Sequence, residues 1–350
     1  MPERIAVVGA GPAGAGAAAG IAKAGYKPVV YEAMDRPGVK PCGRGVPVVG
    51  DLPIEIPREA IVRRIRSAVM YVNGDFLFKL EDVFTGYIVD KGVMIEAMIA
   101  SVGGEIVYKA RFHPETGRIG GPNGEKLERG VFAGGHPYYE GPKILALQYI
   151  METHDYDDTE ELEIYFDTEL MGYYYIFPGR SGTVEVGVGG FADIAELRRR
   201  LDKFVREREN LRDKRTLKVE GARIAIGGLR LGWVGGLPKA GEAAGFVMPL
   251  TGEGIRPSMI SGFQAGLAVS LGKDPLKSQE ETKIASAIKL QSRVLEAVMK
   301  LTPEERAEVL RSLSPRMHAE LSLGRATYSS LARELAGKPS VFLKLLRALR

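Results

Sequence analysis

Cysteine, long hydrophobic runs and an excess of one charge are all scarce in this sequence, and each scarcity excludes a class of protein. The single cysteine among 350 residues, Cys42, allows no disulfide within the chain and predicts a reducing, cytoplasmic compartment. The longest uncharged run, 5–22, holds five glycines and a proline and is otherwise mostly alanine, so it predicts neither a membrane span nor a signal peptide. The 48 basic and 44 acidic side chains give a net charge of +4, which argues against nucleic-acid binding.

Glycine, by contrast, is abundant. It makes up 44 of 350 residues, about 13% against about 7% in typical proteins. The glycines follow no collagen-like period, so we expect them at tight turns and where the backbone approaches a ligand closely. The remaining composition, 45% hydrophobic and 26% charged, is that of a globular protein.

The order of predicted elements indicates an α/β protein. Short apolar runs predict strands at 4–9 and 28–32, with an alanine-rich helix over 12–25 between them. Alternating apolar residues on both sides of Asn73-Gly74 predict a hairpin over 68–80. Further strands are predicted at 87–89, 105–109, 144–149, 162–166, 173–177 and 183–188, and further helices at 94–101, 194–208 and 252–271.

This order predicts a discontinuous Rossmann-type domain, an inserted antiparallel β-sheet domain for the substrate, and a helical C-terminal region. The proline- and glycine-rich stretch 35–57 is predicted to be an extended loop that faces a ligand. The predicted regions are 1–66, 86–135 and 238–274 for the Rossmann-type domain, 67–85 and 136–237 for the sheet domain, and 275–350 for the helical region.

A dinucleotide-binding fingerprint joins the first strand to the first helix. The sequence Gly9-Ala10-Gly11-Pro12-Ala13-Gly14 is a G-x-G-x-x-G, and the next strand ends in Glu32, 18 residues after Gly14. Gly9 allows the tight turn, Gly11 lets a pyrophosphate approach the backbone, and Gly14 lets the helix pack on the strand. The helix N-terminus attracts phosphates, and Glu32 can accept hydrogen bonds from ribose hydroxyls.

A second glycine-rich segment makes FAD the expected cofactor. It runs from Gly241-Glu242-Ala243-Ala244-Gly245 to Pro249-Leu250-Thr251-Gly252-Glu253-Gly254-Ile255 and resembles the G-D-A-A-G…P-x-x-G-x-G-I stretch of flavoproteins related to para-hydroxybenzoate hydroxylase. The resemblance implies that Glu242, which replaces the family's aspartate, binds the ribitol. It also implies that Gly252, Gly254 and Ile255 lead into a helix aimed at the flavin ring, where a helix N-terminus stabilises negative charge.

Two further stretches resemble the geranylgeranyl reductase branch of these flavoproteins. Residues 40–45, KPCGRG, are similar to its K-P-C-G-x-G, and residues 170–178, LMGYYYIFP, to its P-x-x-Y-x-W-x-F-P. Leu170 replaces the proline and Tyr175 replaces the tryptophan. The resemblance implies that the Cys42 loop faces the flavin and that Cys42 is catalytic, donating a proton or positioning an alkene. Together with the fingerprint, it gives as cofactor-binding residues Gly9, Gly11, Pro12, Ala13, Gly14, Glu32, Ala33, Arg36, Gly43, Gly45, Glu242, Gly252, Gly254 and Ile255.

Some of these residues have a second interpretation, and parts of the pattern are missing. A lone cysteine is often a buried apolar filler. Strand periodicity puts Tyr173, Tyr175 and Phe177 on one face, either as a substrate wall for an isoprenoid chain or as a core stripe. The chain departs from the family at 133–135, AGG where relatives carry A-D-G, and at Asp90-Lys91, where they carry Asp-Arg.

The resemblance predicts an FAD-dependent reductase that saturates C=C bonds of geranylgeranyl-type isoprenoid lipids by hydride transfer from reduced flavin. The alternatives are a flavin-dependent aromatic monooxygenase or halogenase, and a flavin-binding protein whose substrate site has decayed. Because no second G-x-G-x-x-G follows a strand, electrons are expected from an external donor, either NAD(P)H or a ferredoxin-like protein.

Two last expectations concern metals and the C-terminus. No metal is predicted, because the four histidines show no ligand spacing. The segment 338–350 predicts a basic amphipathic helix, which either packs on the protein or contacts the inner face of a membrane peripherally. The histidines are His113, His136, His154 and His318, and the apolar face of the helix consists of Phe342, Leu345, Leu346 and Leu349.

Overall fold

The computed structural model describes residues 3–120 and 124–349, without the side chains of Phe84, Leu346 and Leu349. Its strands are β1 (Arg4–Val8), β2 (Lys27–Tyr31), β3 (Gly45–Pro47), β4 (Ile61–Val72), β5 (Asp75–Val89), β6 (Glu105–Val107), β7 (Phe112–His113), β8 (Arg118–Ile119), β9 (Glu125–Lys126), β10 (Gly130–Phe132), β11 (Lys143–Glu152), β12 (Glu161–Asp167), β13 (Gly172–Pro178), β14 (Thr183–Gly190), β15 (Thr216–Ala225), β16 (Trp233–Val234) and β17 (Leu237–Pro238). Its helices are α1 (Pro12–Lys23), α2 (Lys91–Ser101), α3 (Ile194–Arg206), α4 (Ile255–Ser270), α5 (Pro275–Glu280), α6 (Lys283–Met299), α7 (Pro303–Ser312), α8 (Pro315–Ser322), α9 (Tyr328–Ala336) and α10 (Pro339–Leu349).

The N-terminal strands belong to a parallel sheet with the order β10-β1-β2-β6. Its central residues are β-branched and fully buried, as expected for parallel strands covered on their faces. Val7 pairs with Val30 on one side and with Val131 on the other. Helix α1 connects β1 to β2, so the predicted Rossmann-type unit is confirmed.

A second, larger sheet has the order β15-β11-β14-β13-β12-β4-β5-β3. Neighbouring strands are antiparallel except β4 and β12, which pair in parallel from Ser67 with Glu161 onward. The turn between β4 and β5 consists of Asn73 and Gly74, whose φ angles of 52° and 92° are those of a tight hairpin turn. The predicted inserted sheet is thus present, with one parallel pair that the sequence did not indicate.

Strands β4 and β5 extend well beyond the hairpin predicted over 68–80. The predicted domain borders near 66 and 86 therefore fall inside these two strands, and the one sheet continues across both borders. The added segments are held by apolar packing, since Ile65 and Ile88 are buried together. Strand β3, from the predicted loop 35–57, also pairs with β5. Strands β7, β8 and β9 form a small separate sheet that the sequence did not indicate.

Helices α1 and α4 pack closely because glycines face backbone at their contact. A Cβ atom at Gly16 would overlap the carbonyl of Met259, and one at Gly262 would overlap the carbonyl of Ala13. This packing fixes the N-terminus of α1 beside the segment that leads into α4. The two glycine-rich motifs, far apart in sequence, are thereby brought to one site.

The C-terminal helices α6 to α10 enclose their own apolar cluster. Helix α10 packs into it through Val341, Leu345 and Ala348, while Phe342 and Leu343 are 39% and 63% exposed. Leu346 and Leu349, which the sequence places on the same apolar face, have side chains outside the described part of the structure. Within the described residues, no helix combines the length and apolar character needed to cross a bilayer.

Candidate active site

A cavity of about 1230 Å³ runs from the N-terminus of α1, across one face of the large sheet, to helices α6, α7 and α8. Of the residues predicted to bind cofactor or substrate or to act in catalysis, Gly14 and Arg36 are absent from its lining. Gly14 is buried in the first turn of α1, whereas Arg36 is exposed on the surface. The predicted residues that line the cavity are Gly9, Gly11, Pro12, Ala13, Glu32, Ala33, Cys42, Gly43, Gly45, Tyr173, Tyr175, Phe177, Glu242, Gly252, Gly254 and Ile255.

The three fingerprint glycines occupy different environments. Gly9 has a φ of 101°, and a Cβ atom there would lie 2.6 Å from the carbonyl oxygen of Ala133. A Cβ atom at Gly14 would overlap the carbonyl of Gly9. A Cβ atom at Gly11 would meet nothing within 4 Å and would project into open space. Gly9 and Gly14 therefore serve the turn, and Gly11 leaves room for a ligand.

The N-terminus of α1 has the groups that a pyrophosphate requires. No side chain caps the helix at Gly11, so its first backbone N–H groups remain available to an anion within the described residues. Glu32 also lines the cavity, where its carboxylate accepts hydrogen bonds from the N–H of Ala10 at 2.7 Å and of Met34 at 2.9 Å. These two bonds fix the carboxylate beside the glycines, where it can accept hydrogen bonds from the ribose hydroxyls of a dinucleotide.

Glu242 lies on the opposite wall of the cofactor part of the cavity. Its carboxylate pairs with Lys40 at 2.6 Å and accepts a hydrogen bond from the N–H of Ala225 at 3.1 Å. Glu242 therefore faces the cavity, as the ribitol role implied by the family resemblance requires, and its pair with Lys40 ties the Cys42 loop to this wall. The segment that follows, with Gly252 and Gly254, leads into α4.

The positions where the chain departs from its relatives also face the cavity. Lys91, in place of the relatives' arginine, is only 8% exposed and donates a hydrogen bond to the carbonyl of Lys40. Burial lowers the pKa of Lys91. Ala133, Gly134 and Gly135 line the same region. These departures therefore lie at the end of the cavity where the cofactor is expected.

The Cys42 loop lies on the large sheet and is held there by two side chains. The half-buried Cys42 accepts a hydrogen bond at Sγ from the N–H of Arg44 at 3.3 Å. Arg44 adopts a left-handed conformation, with φ 57°, and its guanidinium pairs with Glu185 of β14 at 2.9 Å. The carbonyl of Cys42 accepts a hydrogen bond from Gln148 of β11 at 3.4 Å.

Glu185 is an unusual anchor for this loop because it is 3% exposed and its Oε2 has no hydrogen-bond partner in the described structure. Burial raises the pKa of Glu185 to about 7, while the charge of Arg44 opposes part of that rise. The carboxyl group therefore changes protonation near neutral pH. The Arg44 contact that holds the loop is strongest when Glu185 is ionised.

Tyr173, Tyr175 and Phe177 form a continuous wall next to the loop. The ring centroids of Tyr173 and Tyr175 are 6.4 Å apart, and those of Tyr175 and Phe177 are 4.6 Å apart. A Cβ atom at Gly43 would lie 3.2 Å from Phe177, so the loop rests directly on these rings. All three residues line the cavity and are not confined to the core of the sheet.

A row of hydrogen-bonded polar side chains supports the aromatic wall. The hydroxyl of Tyr175 donates to Oε1 of Gln148 at 2.6 Å, across Gly187 on the strand between them. A Cβ atom at Gly187 would overlap the Tyr175 ring, so glycine is needed there. Gln148 donates in turn to Glu220 at 2.8 Å. Tyr175, which replaces the family's tryptophan, is thereby fixed through its hydroxyl.

Beyond the wall the cavity becomes apolar and reaches the C-terminal helices. The sheet side consists of Met70, Leu162, Ile164 and Phe166. His318 of α8 closes this end, buried against Phe166 and bonded through Nε2 to the carbonyl of Leu310 at 2.8 Å. Burial lowers the pKa of His318, so its imidazole is uncharged at neutral pH. Among the described residues no cluster of His, Cys, Asp and Glu is arranged to hold a metal.

No sequence motif pointed to Gln148 or Arg306, which line the cavity, or to Glu185, which anchors the Cys42 loop through Arg44. Glu185 gives a signal in the sequence, because it is the one acid in the otherwise apolar strand TVEVGVGG, covering 183–190. Gln148 is likewise a polar residue within the mostly apolar sequence of β11. Arg306 left no such signal, because a basic residue in a charged helix is ordinary.

Comparison with known proteins shows which families the chain resembles. Residues 143–224 match the geranylgeranyl reductase catalytic domain, and residues 7–40 match the NAD(P)-binding Rossmann-like domain. The resemblance to the geranylgeranyl reductase family is confirmed. The geranylgeranyl reductase match covers β11 to β14, α3 and nearly all of β15, and thus contains the aromatic wall, Gln148 and Glu185.

Relatives named as geranylgeranyl reductases match most of the chain. Digeranylgeranylglycerophospholipid reductase 1 of Methanosphaera stadtmanae is 28% identical over 297 residues, which cover 75% of this chain and 73% of the relative. Geranylgeranyl diphosphate reductase of Rhodobacter capsulatus is 28% identical over 281 residues, covering 71% and 70%. The crystal structure of a geranylgeranyl bacteriochlorophyll reductase-like protein from Thermoplasma acidophilum superposes with a TM-score of 0.75 at 20% identity, covering 99% of both chains.

Proposed function

We propose that this protein is an FAD-dependent reductase that saturates C=C bonds of geranylgeranyl-type isoprenoid lipids. One observation carries the proposal. A single cavity joins the dinucleotide-binding glycines to the Cys42 loop, the aromatic wall and a long apolar end. The apolar end of this cavity extends past the aromatic wall to α6, α7 and α8, a length that suits an isoprenoid chain. The relatives named above support the same substrate class.

The residues of the chain supply binding, orientation and a proton. FAD, when bound and reduced, supplies a hydride to one carbon of the alkene. The N–H groups of α1, Glu32 and Glu242 hold the cofactor, and Cys42 holds a proton at Sγ for the second alkene carbon. Arg44 and Gln148 fix the loop that carries this thiol. Tyr173, Tyr175 and Phe177 exclude water from the reacting bond.

The source of electrons and the cellular location complete the proposal. The electrons come from an external donor, NAD(P)H or a ferredoxin-like protein. The protein works in the cytoplasm and touches the inner membrane face through 338–350. In α10, Lys344 and Arg347 already pair with Glu308 and Glu305, and this leaves the exposed Phe342 and Leu343 as the contact with lipid.

The function is tested by reoxidising the reduced holoprotein without oxygen. Mixing it with a geranylgeranyl lipid is expected to restore the oxidised flavin absorbance and to yield a product heavier by two hydrogens per reduced bond. Stopped-flow absorbance and mass spectrometry measure the two outcomes. Reoxidation that needs oxygen and adds an oxygen or halogen atom to an aromatic substrate would replace this proposal with the monooxygenase or halogenase.

The membrane contact is tested separately on α10. The double variant Phe342→Ser/Leu343→Ser is expected to sediment with anionic vesicles at least about threefold less than wild type, because two exposed apolar side chains are lost. Phe76→Ser, which removes a 64% exposed ring elsewhere, is the matched control and should sediment normally. Equal sedimentation of all three proteins would leave α10 as a helix that only packs on the protein.

A further inference from the structure

Arg306 of α7 occupies an unusual position in the cavity wall. Its guanidinium donates to three backbone carbonyls, those of Val298 at 3.1 Å, Thr168 at 2.9 Å and Met299 at 3.1 Å. These bonds fix its plane between the start of α7, the end of α6 and the turn after β12. A guanidinium has five N–H groups, so two remain for another partner.

This guanidinium has no neutralising charge in the described structure. None of the described carboxylate oxygens lies within 4.0 Å of it, and nearby Asp167 is paired with Arg200 at 2.9 Å. Other arginines in the interior differ, since Arg256 pairs with both Glu253 and Asp51. Partial burial lowers the pKa of Arg306 without any opposing carboxylate. A partly buried guanidinium without a paired carboxylate is a favourable partner for an anionic ligand.

The surroundings show which kind of anion fits. Arg306 lies where the turn 168–171 ends the strand pair that carries the aromatic wall, with Tyr173 paired to Phe166. At about 3.3 Å per residue, Thr168 is roughly 7 Å along the strand from Phe166. The cavity between Arg306 and the wall is lined by apolar side chains of α6 and α7. These are Leu295, Val298, Val309 and Leu310, together with Leu313 just after α7.

We propose that Arg306 binds the phosphate or diphosphate head of the isoprenoid substrate. This inference rests on the proposed function and assigns the site that binds the polar end of the substrate. The two free N–H groups hold the phosphate oxygens, as a planar guanidinium does well. The chain then runs along the apolar lining to the aromatic wall, which brings its first alkenes toward Cys42. Arg306 thus selects charged prenyl lipids over prenyl alcohols of the same length.

The test is equilibrium binding to the oxidised holoprotein, measured by calorimetry. Arg306→Met is expected to weaken geranylgeranyl diphosphate binding about 10- to 100-fold, the usual size of one or two charge-assisted hydrogen bonds. Geranylgeraniol should bind both proteins equally. Arg306→Lys should keep most of the diphosphate affinity. Arg311→Met, on the same helix but paired with Asp75 at the surface, is the matched control and should change neither ligand.

Three results would overturn the assignment. Equal loss of both ligands in Arg306→Met would make the residue a helix anchor, and no loss of either would remove it from the site. Inorganic pyrophosphate that binds as tightly as geranylgeranyl diphosphate would indicate a site for the free anion. The proposed reductase activity fails independently, if wild type binds the diphosphate in an Arg306-dependent way but does not reoxidise its flavin with it.

Discussion

Replacing Gly11 with valine is expected to give a folded protein that purifies without FAD. The space beside Gly11 is open within the protein, and its backbone is extended, a conformation that valine favours. The fold is therefore undisturbed, but the branched side chain occupies the position where the pyrophosphate meets the N-terminus of α1. Loss of two hydrogen bonds to a charged group weakens binding by at least about 10²-fold. Flavin absorbance per protein and the circular dichroism spectrum measure the two effects.

Variants of two other glycines distinguish a blocked pyrophosphate position from a general loss of stability. Gly337→Val also places a side chain in open space, at the end of α9, and should retain flavin. Gly14→Val should fail to fold, because its Cβ atom would overlap the Gly9 carbonyl. Stoichiometric flavin in Gly11→Val would mean that the cofactor does not lie against α1 as we propose.

The Cys42→Ser variant is expected to reduce its flavin normally with dithionite and to reoxidise at least about 10²-fold more slowly with a geranylgeranyl lipid. A serine hydroxyl has nearly the size of the thiol but is a far weaker acid, so it delivers a proton poorly. Anaerobic stopped-flow spectroscopy at the flavin band measures both rates. Flavin content should remain at one per chain, since the loop is held by the Arg44 and Gln148 side chains rather than by the thiol.

The alternative role of Cys42, as a packing residue, predicts a different result. A hydroxyl without a partner at an apolar site lowers the free energy of unfolding by about 1–3 kcal/mol, while the remaining folded protein reoxidises normally. The loss in the free energy of unfolding should be smaller here than in a fully buried core, because Cys42 is half-buried and lines the cavity. An unchanged reoxidation rate in Cys42→Ser would remove the thiol from the mechanism.

Local sequence patterns predicted the elements whose partners are close in the chain. The spacing of Gly9, Gly11 and Gly14 before an alanine-rich helix specifies a turn and a helix N-terminus, and both are present. Strand periodicity placed Tyr173, Tyr175 and Phe177 on one face, and all three do share the cavity wall. In each case the deciding interactions lie within one element or between adjacent ones.

The remaining features depend on contacts between distant segments, which leave no periodic signal. The parallel pairing of β4 with β12 joins Ser67 to Glu161 and follows from the whole sheet. The bond from Arg306 to the carbonyl of Thr168 links residues 138 positions apart. The cavity was predicted at its flavin end, where motifs are local, and not at its helical end, where tertiary packing alone creates it.

The contact between α1 and α4 also sets the order in which the protein assembles during synthesis. Gly16 in α1 rests against Met259, about 240 residues later, which a ribosome adding about 5–20 residues per second reaches after roughly 10–50 seconds. Until then α1, at whose N-terminus we propose that the phosphates bind, lacks the surface that fixes it. We therefore expect cofactor capture to follow the synthesis of α4, and a nascent chain stalled before α4 should accumulate in an apo form that proteases readily cut.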